Sequence, residues 1–307
     1  MITKEKMKDI VCKPSIIPIK IFKILSRKGI LNSMSDEVYL KITYYLHFHR
    51  KLDFGNPKTF NEKLHWLKVF NHKPEYTMMV DKYEVKKYVA DKIGQQYVIP
   101  TYGVWDCFDD IDFESLPNQF VLKCTHDSGG VVICKDKSKL DRKKAKEKLE
   151  LSLKRNYYYI EREWPYKNVK PRIIAEAYMA ENSGEDLKDY KLMCFSGKVK
   201  CSFTCSNRDE NGNLNVNFYD ENWLPMPFER HYPRNPLETE KPDKYEEMVS
   251  AAEILAEGIP FVRIDFYQID GRVYFGEITF FPGAGLEEFT PDKWDYILGD
   301  WIKLEGI

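Results

Sequence analysis

The chain has 307 residues, a formal net charge of −1 and 43% hydrophobic residues that include 18 Phe, 20 Tyr and 6 Trp. That is enough apolar material for a sizeable core and excludes a largely disordered chain, while length alone points to about two domains. The near-zero balance excludes nucleic-acid binding through bulk charge, which needs a basic excess.

The charge is uneven along the chain: residues 1–74 carry a net +9, 75–175 a net +3 and 176–307 a net −13. The first of these stretches reads as helical. Ile16, Ile17, Ile19, Ile21, Phe22, Ile24 and Leu25 interleave with Lys20, Lys23, Arg27 and Lys28, a short basic amphipathic segment that suits an anionic membrane surface. A helix packing on its own domain is the plainer reading of the same pattern. A second helix is predicted from Ser35, as N-cap, through Tyr39, Ile42, Tyr45 and Leu46. Thr59 with Glu62 three residues later reads as a capping box that opens a third.

From Asp81 a helix carries Val85, Tyr88, Val89 and Ile93 on one face and stops at Gly94. Strands are predicted at 97–100, 120–124 and 131–134, the last two joined through Asp127-Ser128-Gly129-Gly130 as a hairpin. Residues 141–155 form a charged helix whose lysines read as a solvated face. Further strands cover 172–176, 190–195 and 198–200, followed by an ordered aromatic loop from Trp223 to Pro236 and a helix over 243–257. Two last strands, 261–267 and 272–278, are joined by Asp270-Gly271, a strong hairpin signal. Strands and helices thus mix through hairpins without strict alternation, which favours an α+β fold over a doubly wound sheet.

Seven scattered cysteines with no Cys-x-x-Cys spacing read as reduced thiols of a cytoplasmic protein. The first apolar cluster is interrupted by Pro18 and Lys20, so no signal peptide is expected. No run approaches the roughly 20 apolar residues of a membrane span.

Two groups of residues carry chemistry. Arg263, Asp265 and Tyr267 share one strand face, as do Phe275, Glu277 and Thr279 on its hairpin neighbour, so Asp265 and Glu277 can meet. Two carboxylates in otherwise apolar strands repel and are costly to bury. Either a cation relieves both, as in a nucleotide-type Mg2+ site, or one carboxylate pairs with Arg263 while the other faces solvent; spacing leaves the two even. Lys123, before the Gly129-Gly130 turn, suits a phosphate held by backbone N–H groups and a fixed positive charge. The pattern is not a P-loop, and alone it reads better as an ordinary hairpin.

Together with Asn56-Pro57-Lys58-Thr59-Phe60-Asn61-Glu62-Lys63, Asp81-Lys82-Tyr83, Glu161-Arg162-Glu163-Trp164-Pro165-Tyr166 and the closing Pro282-Gly283, these segments resemble the ATP-grasp ligases over roughly residues 35–300. The similarity is to the TupA-like branch associated with teichuronopeptide and capsular polysaccharide synthesis. It implies an ATP-grasp fold of two α+β subdomains, a lid subdomain at 75–175 and a C-terminal subdomain with the metal site at 176–307, preceded by a helical region at 1–74. Residues 1–74 are too short and too helical for the Rossmann-like domain that usually precedes this core.

By the same resemblance, Lys82 and Lys123 bind phosphates, Gly129 and Gly130 form the loop that folds over them, and Lys191 is a further phosphate contact. The hinge from Glu176 to Met179 holds the adenine. Asp189 falls at the ribose-binding acid, with Glu181 and Glu185 as competitors. Asp265 and Glu277 match the metal ligands, and Thr279 stands where an Asn is usual. Arg263 steadies the acyl phosphate.

The implied cofactors are ATP and Mg2+, and the implied reaction is a two-step amide ligation between carboxylate and amine substrates, saccharide-linked, during surface-polysaccharide assembly. This suits a sequence with no obvious catalytic His, since the first step needs charge more than proton transfer. His126, the one histidine near the proposed phosphates, reads as a loop residue. The competing readings are a glycosyltransferase or phosphotransferase of polysaccharide assembly, although no convincing Asp-x-Asp-like motif is present, and a nucleotide-binding subunit without turnover. Residues 1–30 are the segment for a peripheral contact with membrane or polysaccharide machinery, on the cytoplasmic face. Trp223 to Pro236, with Arg230, His231 and Arg234, is the candidate acceptor side.

Overall fold

The computed structural model describes residues 17–180, 188–207 and 212–304. Three helices come first: α1 (Ile17–Arg27), α2 (Asp36–Phe48) and α3 (Phe60–Phe70). Ser35 occupies the N-cap of α2, but its hydroxyl makes no capping bond. Asp36 supplies the first-turn acid and accepts from Tyr158 Oη at 2.7 Å and from Arg162 Nη1 at 3.1 Å. The capping box at Thr59 and Glu62 is complete. α1 packs on its own domain, with Phe22 against Tyr39 and Ser26 donating to Tyr159 O at 2.7 Å. Its outer face leaves Ile21 and Ile24 about half exposed; the part of the basic segment before Ile17 lies outside the described residues.

Beyond α4 (Glu75–Val80) and α5 (Glu84–Ile93), the chain builds two separate sheets. The first contains β1 (Thr101–Trp105), β2 (Phe120–Cys124), β3 (Val131–Cys134) and β4 (Ile173–Ala177), in the order β1-β4-β2-β3. All its pairings are antiparallel, and α6 (Arg142–Leu153) covers its apolar face through Ala145 and Leu149, with the single turn α7 (Tyr158–Glu161) following it. The strand predicted at 97–100 is displaced: Gln95–Tyr97 is a single 3-10 turn, and pairing begins at Thr101, beyond Pro100, whose ring nitrogen cannot donate to a ladder. The proposed boundary between residues 175 and 176 falls inside β4.

The second sheet comprises β5 (Asp189–Phe195), β6 (Lys198–Ser206), β7 (Asn215–Asp220), β9 (Phe261–Ile269) and β10 (Arg272–Thr279), in the order β10-β9-β5-β6-β7. It too is antiparallel throughout, so the class is α+β. The main core lies on it. Leu192, Met193, Cys194 and Phe195 form one continuous buried run, as expected of a strand covered on both faces; α8 (Tyr245–Leu255) buries Met248, Ala252 and Leu255 in the same core. The loop after β7 contains a short strand, β8 (Glu229–Arg230), paired with β11 (Phe289–Thr290).

α9 (Lys293–Trp301) closes the molecule against α3. Lys63 Nζ donates to Gly299 O at 2.8 Å and Ile302 O at 3.0 Å, and Asp295 Oδ1 accepts from the Asn61 backbone at 3.0 Å and from its amide at 3.1 Å. Lys68 is fully buried and donates to Glu161 O at 2.8 Å and Ala284 O at 2.9 Å. Cys107, Cys124, Cys134, Cys194 and Cys201 are free thiols, and no helix of the described residues is long and apolar enough to cross a membrane.

Candidate active site

A cleft of about 1010 Å3 is lined by residues of both sheets. Its floor is a charged row on three adjacent strands: Lys191 lies opposite Asp265, and Asp265 opposite Glu277. A bulge at Gly276 sets this row. Phe275 pairs with Phe266 while Glu277 pairs with Asp265, so Phe275 does not share the Glu277 row as simple alternation predicts. A Cβ at Gly276 would stand 3.1 Å from both Asp265 O and Tyr267 Cε2.

Asp265 is 1% exposed and accepts from Arg263 Nε at 2.6 Å, Arg263 Nη2 at 2.7 Å and Lys191 Nζ at 2.5 Å. Burial opposes its ionisation, but Arg263 and Lys191 outweigh it and hold the carboxyl below its ordinary range. Arg263 Nη2 also reaches Glu277 Oε1 at 2.7 Å and Thr279 Oγ1 at 3.0 Å. Of the two arrangements left even by spacing, the protein alone adopts an arginine shared by both carboxylates, with Glu277 half exposed. Asp265, Glu277 and Thr279 are all oxygen donors, the set a hard divalent cation takes. Among the described residues no three His, Cys, Asp or Glu side chains converge as a metal group. A cation here would therefore rest on two carboxylates and share them with Arg263, completing its shell from other oxygens.

Asp189 joins the same cluster through Lys191. Burial pushes its carboxyl up to about 6, against the pull of Lys191. It is thus engaged on the floor and is not a free acid; its competitors Glu181 and Glu185 lie outside the described residues.

The facing wall comes from the first sheet. Glu176 on β4 forms ion pairs with Lys86 Nζ through Oε1 and with Lys123 Nζ through Oε2, both at 2.6 Å. Burial opposes its ionisation, yet Lys123 and Lys86 hold the carboxyl below its usual range. Lys82 bonds Asp127 O in the glycine turn. Gly129, with φ +119° and no atom within 4 Å of a built Cβ, faces the cleft. Gly130 lies behind it, where a Cβ would meet Ser152 Oγ at 2.4 Å, so its need for glycine is a packing need. Met179, at the end of the expected hinge, is half-buried and does not line the cleft. His126 is buried, its Nε2 against Ser152 O and Arg155 O at 3.2 and 3.1 Å, and is structural.

Three cleft residues escaped sequence reasoning. Lys86 follows Lys82 by four positions, a spacing that places both on one side of a helix turn. Glu163 lies inside the Glu161-Arg162-Glu163 segment; burial pushes its carboxyl up to about 8, opposed by Lys68. Glu287 stands beside Arg230. In the aromatic loop, Arg230 and His231 line the cleft, whereas Arg234 pairs with Glu238 at 2.7 Å away from it.

A family model described as TupA-like ATPgrasp matches residues 62–303. Among solved structures, D-alanine–D-alanine ligase from Bacillus anthracis complexed with ATP is similar at 16% identity and a TM-score of 0.42, covering 73% of this chain and 65% of that one. The Helicobacter pylori D-alanine–D-alanine ligase is similar at 15% identity and a TM-score of 0.40, covering 81% and 70%. A RimK domain ATP-grasp protein from Sphaerobacter thermophilus gives 10% identity and a TM-score of 0.40, covering 74% and 69%. The chain spans about two thirds of the length of these structures. Comparison with curated proteins returns no match.

Proposed function

Because this chain belongs to the TupA-like ATP-grasp family, whose model spans residues 62–303, and ATP-grasp proteins are ATP-dependent ligases that form C–N bonds, we propose that it joins a carboxylate to an amine at this cleft, using ATP and Mg2+. The observation that carries the reading is the opposition of two charge groups across one cavity: Lys82, Lys86 and Lys123 on the wall, and Asp265, Glu277 and Thr279 on the floor.

Mg2+, when bound, supplies charge neutralisation between phosphate oxygens and carboxylates. Asp265 and Glu277 would hold it, with the Thr279 hydroxyl as a further oxygen donor. Lys123 and Lys86, fixed by Glu176, and Lys82, fixed by the turn, orient the phosphates; Gly129 lets the turn approach them closely. Lys191 adds a further positive charge from the floor. Arg263, held between Asp265 and Glu277, would set its positive charge beside the acyl phosphate and the tetrahedral centre that follows it. Of the expected hinge only Glu176 lines the cleft, and it acts by positioning its two lysines. Asp189 acts through Lys191.

The family's association supports a uronic acid or peptide carboxylate of a bacterial surface polysaccharide as the acceptor, handled on the cytoplasmic face. The exposed Ile21 and Ile24 beside Lys20, Arg27 and Lys28 support a peripheral membrane contact. The direct test incubates the protein with ATP, Mg2+ and panels of uronic acids and amines, following ADP and amide by mass spectrometry. ADP and an amide are expected together. UDP released from a sugar nucleotide, with no ADP under any pairing, overturns the ligase reading.

A further inference from the structure

Arg230 is a buried arginine that the protein around it engages only in part: its Nε faces Glu287, and its Nη1 has no hydrogen-bond partner. It is 4% exposed and lines the cleft at the end of the short strand β8. Its guanidinium lies over Phe203 at 4.3 Å and Phe218 at 5.1 Å from the ring centroids. Its Nε approaches Glu287 Oε2 to 3.0 Å, yet Nε, Nη1 and Glu287 Oε2 are all buried without a partner at hydrogen-bonding geometry. Buried N–H groups are nearly always satisfied, and a buried guanidinium with open donors is matched by a planar anion that accepts two bonds side by side.

Its position restricts which anion this is. Phe203 also carries Arg263, whose guanidinium lies 5.8 Å from the ring centroid. Both guanidiniums therefore stand within about 10 Å of each other, by the 4.3 and 5.8 Å distances to that one ring. A carboxylate on Arg230 is thus within the reach of a single amino acid whose amine meets the carboxyl that reacts beside Arg263. Gly283 helps make the place: a Cβ there would collide with Glu287 Cγ at 2.1 Å, so Glu287 reaches Arg230 through the space a side chain would fill.

We propose that Arg230 binds the carboxylate of the amine-donating substrate, which makes that substrate an α-amino acid and not a simple amine. Glu287 orients the guanidinium and, as a negative charge beside it, disfavours a doubly charged phosphate. The assignment rests on the ligase reading above.

The test uses calorimetry on the full chain, first with ATP and Mg2+, then with ATP-Mg2+ held saturating while the twenty amino acids and matched amines without the carboxylate are titrated in; methylamine for glycine, ethylamine for alanine and ethanolamine for serine are such pairs. At least one amino acid is expected to bind, its matched amine being weaker by roughly 10- to 100-fold, the worth of a charge-assisted two-bond contact. Arg230→Ala is expected to weaken that amino acid by a similar factor, Arg230→Lys by less, and Arg234→Ala, away from the cleft, not at all, with ATP affinity unchanged in each. Equal binding of amino acid and amine, no amino acid binding, or an Arg230→Ala change under twofold overturns the proposal. The wild-type comparison needs no variant, so a misfolded Arg230→Ala leaves the proposal open to refutation. Failure of the wild type to bind ATP-Mg2+ instead sinks the ligase reading itself, a separate result.

Discussion

The two charge groups of the cleft have opposite surpluses. On the wall, Lys86 and Lys123 share one carboxylate, Glu176, while Lys82 bonds a backbone carbonyl of the turn; on the floor, Lys191 and Arg263 answer to Asp189, Asp265 and Glu277. Neither is a closed ion pair. The wall retains positive charge, which suits polyphosphate, and the floor retains negative charge, which suits a cation. A chain with a net charge near zero can therefore hold both without any bulk excess. Internal ion pairs here position the leftover charge more than they stabilise the fold, since the desolvation of buried ions offsets much of their attraction.

The sharpest way to break this comparison is Glu277→Gln. Glu277 is half exposed, so the fold should survive, while Mg2+-dependent ADP formation is expected to fall by roughly 100-fold or more; full activity would remove Glu277 from the floor's function. Next comes Glu176→Gln, which leaves Lys86 and Lys123 without their shared carboxylate in a mostly buried place. A loss of about 3 kcal/mol in urea-unfolding stability is expected, and an unchanged midpoint would show that the wall does not depend on this residue.

Lys86→Met sharpens the comparison by thinning the wall alone. ATP affinity measured by calorimetry should drop about tenfold, the effect of one charged hydrogen bond, with the Mg2+ dependence retained. The smallest effect concerns Glu163. Its carboxyl is raised to about 8 in the folded chain, so the native state keeps a proton that the unfolded state releases above about 4.3. Stability from this group is present at low pH and declines as pH rises from about 5 to 8. In Glu163→Gln that decline should flatten, which thermal melts across the range would show.

Much of the floor was readable because its signals are local. Asp270-Gly271 marks the hairpin, and alternation brings Asp265 toward Glu277. The bulge at Gly276 was not readable, because a glycine in a strand signals only that something departs from regular pairing. Lys86 was hidden for another reason: beside Lys87, it looks like one more solvated lysine until Glu176 arrives from a strand ninety positions later. The strand Asn215–Asp220 was missed since Asn217, an apparent loop residue, is buried and donates to Asn235 O at 3.0 Å and Glu238 Oε2 at 2.9 Å. Asp36 shows the same limit, as its value lies in Tyr158 and Arg162, which no spacing near residue 36 reveals.

The bonds of α3 have a consequence for how the chain is made. Lys68 waits for Ala284, Asn61 for Asp295 and Lys63 for Gly299, separations of 216, 234 and 236 residues. The donors of α3 thus leave the ribosome more than two hundred residues before the acceptors they bond. Segments that fold as they emerge complete their contacts early; α3 cannot, and its interface stays unfinished until the segment that carries Ala284, Asp295 and Gly299 has been made.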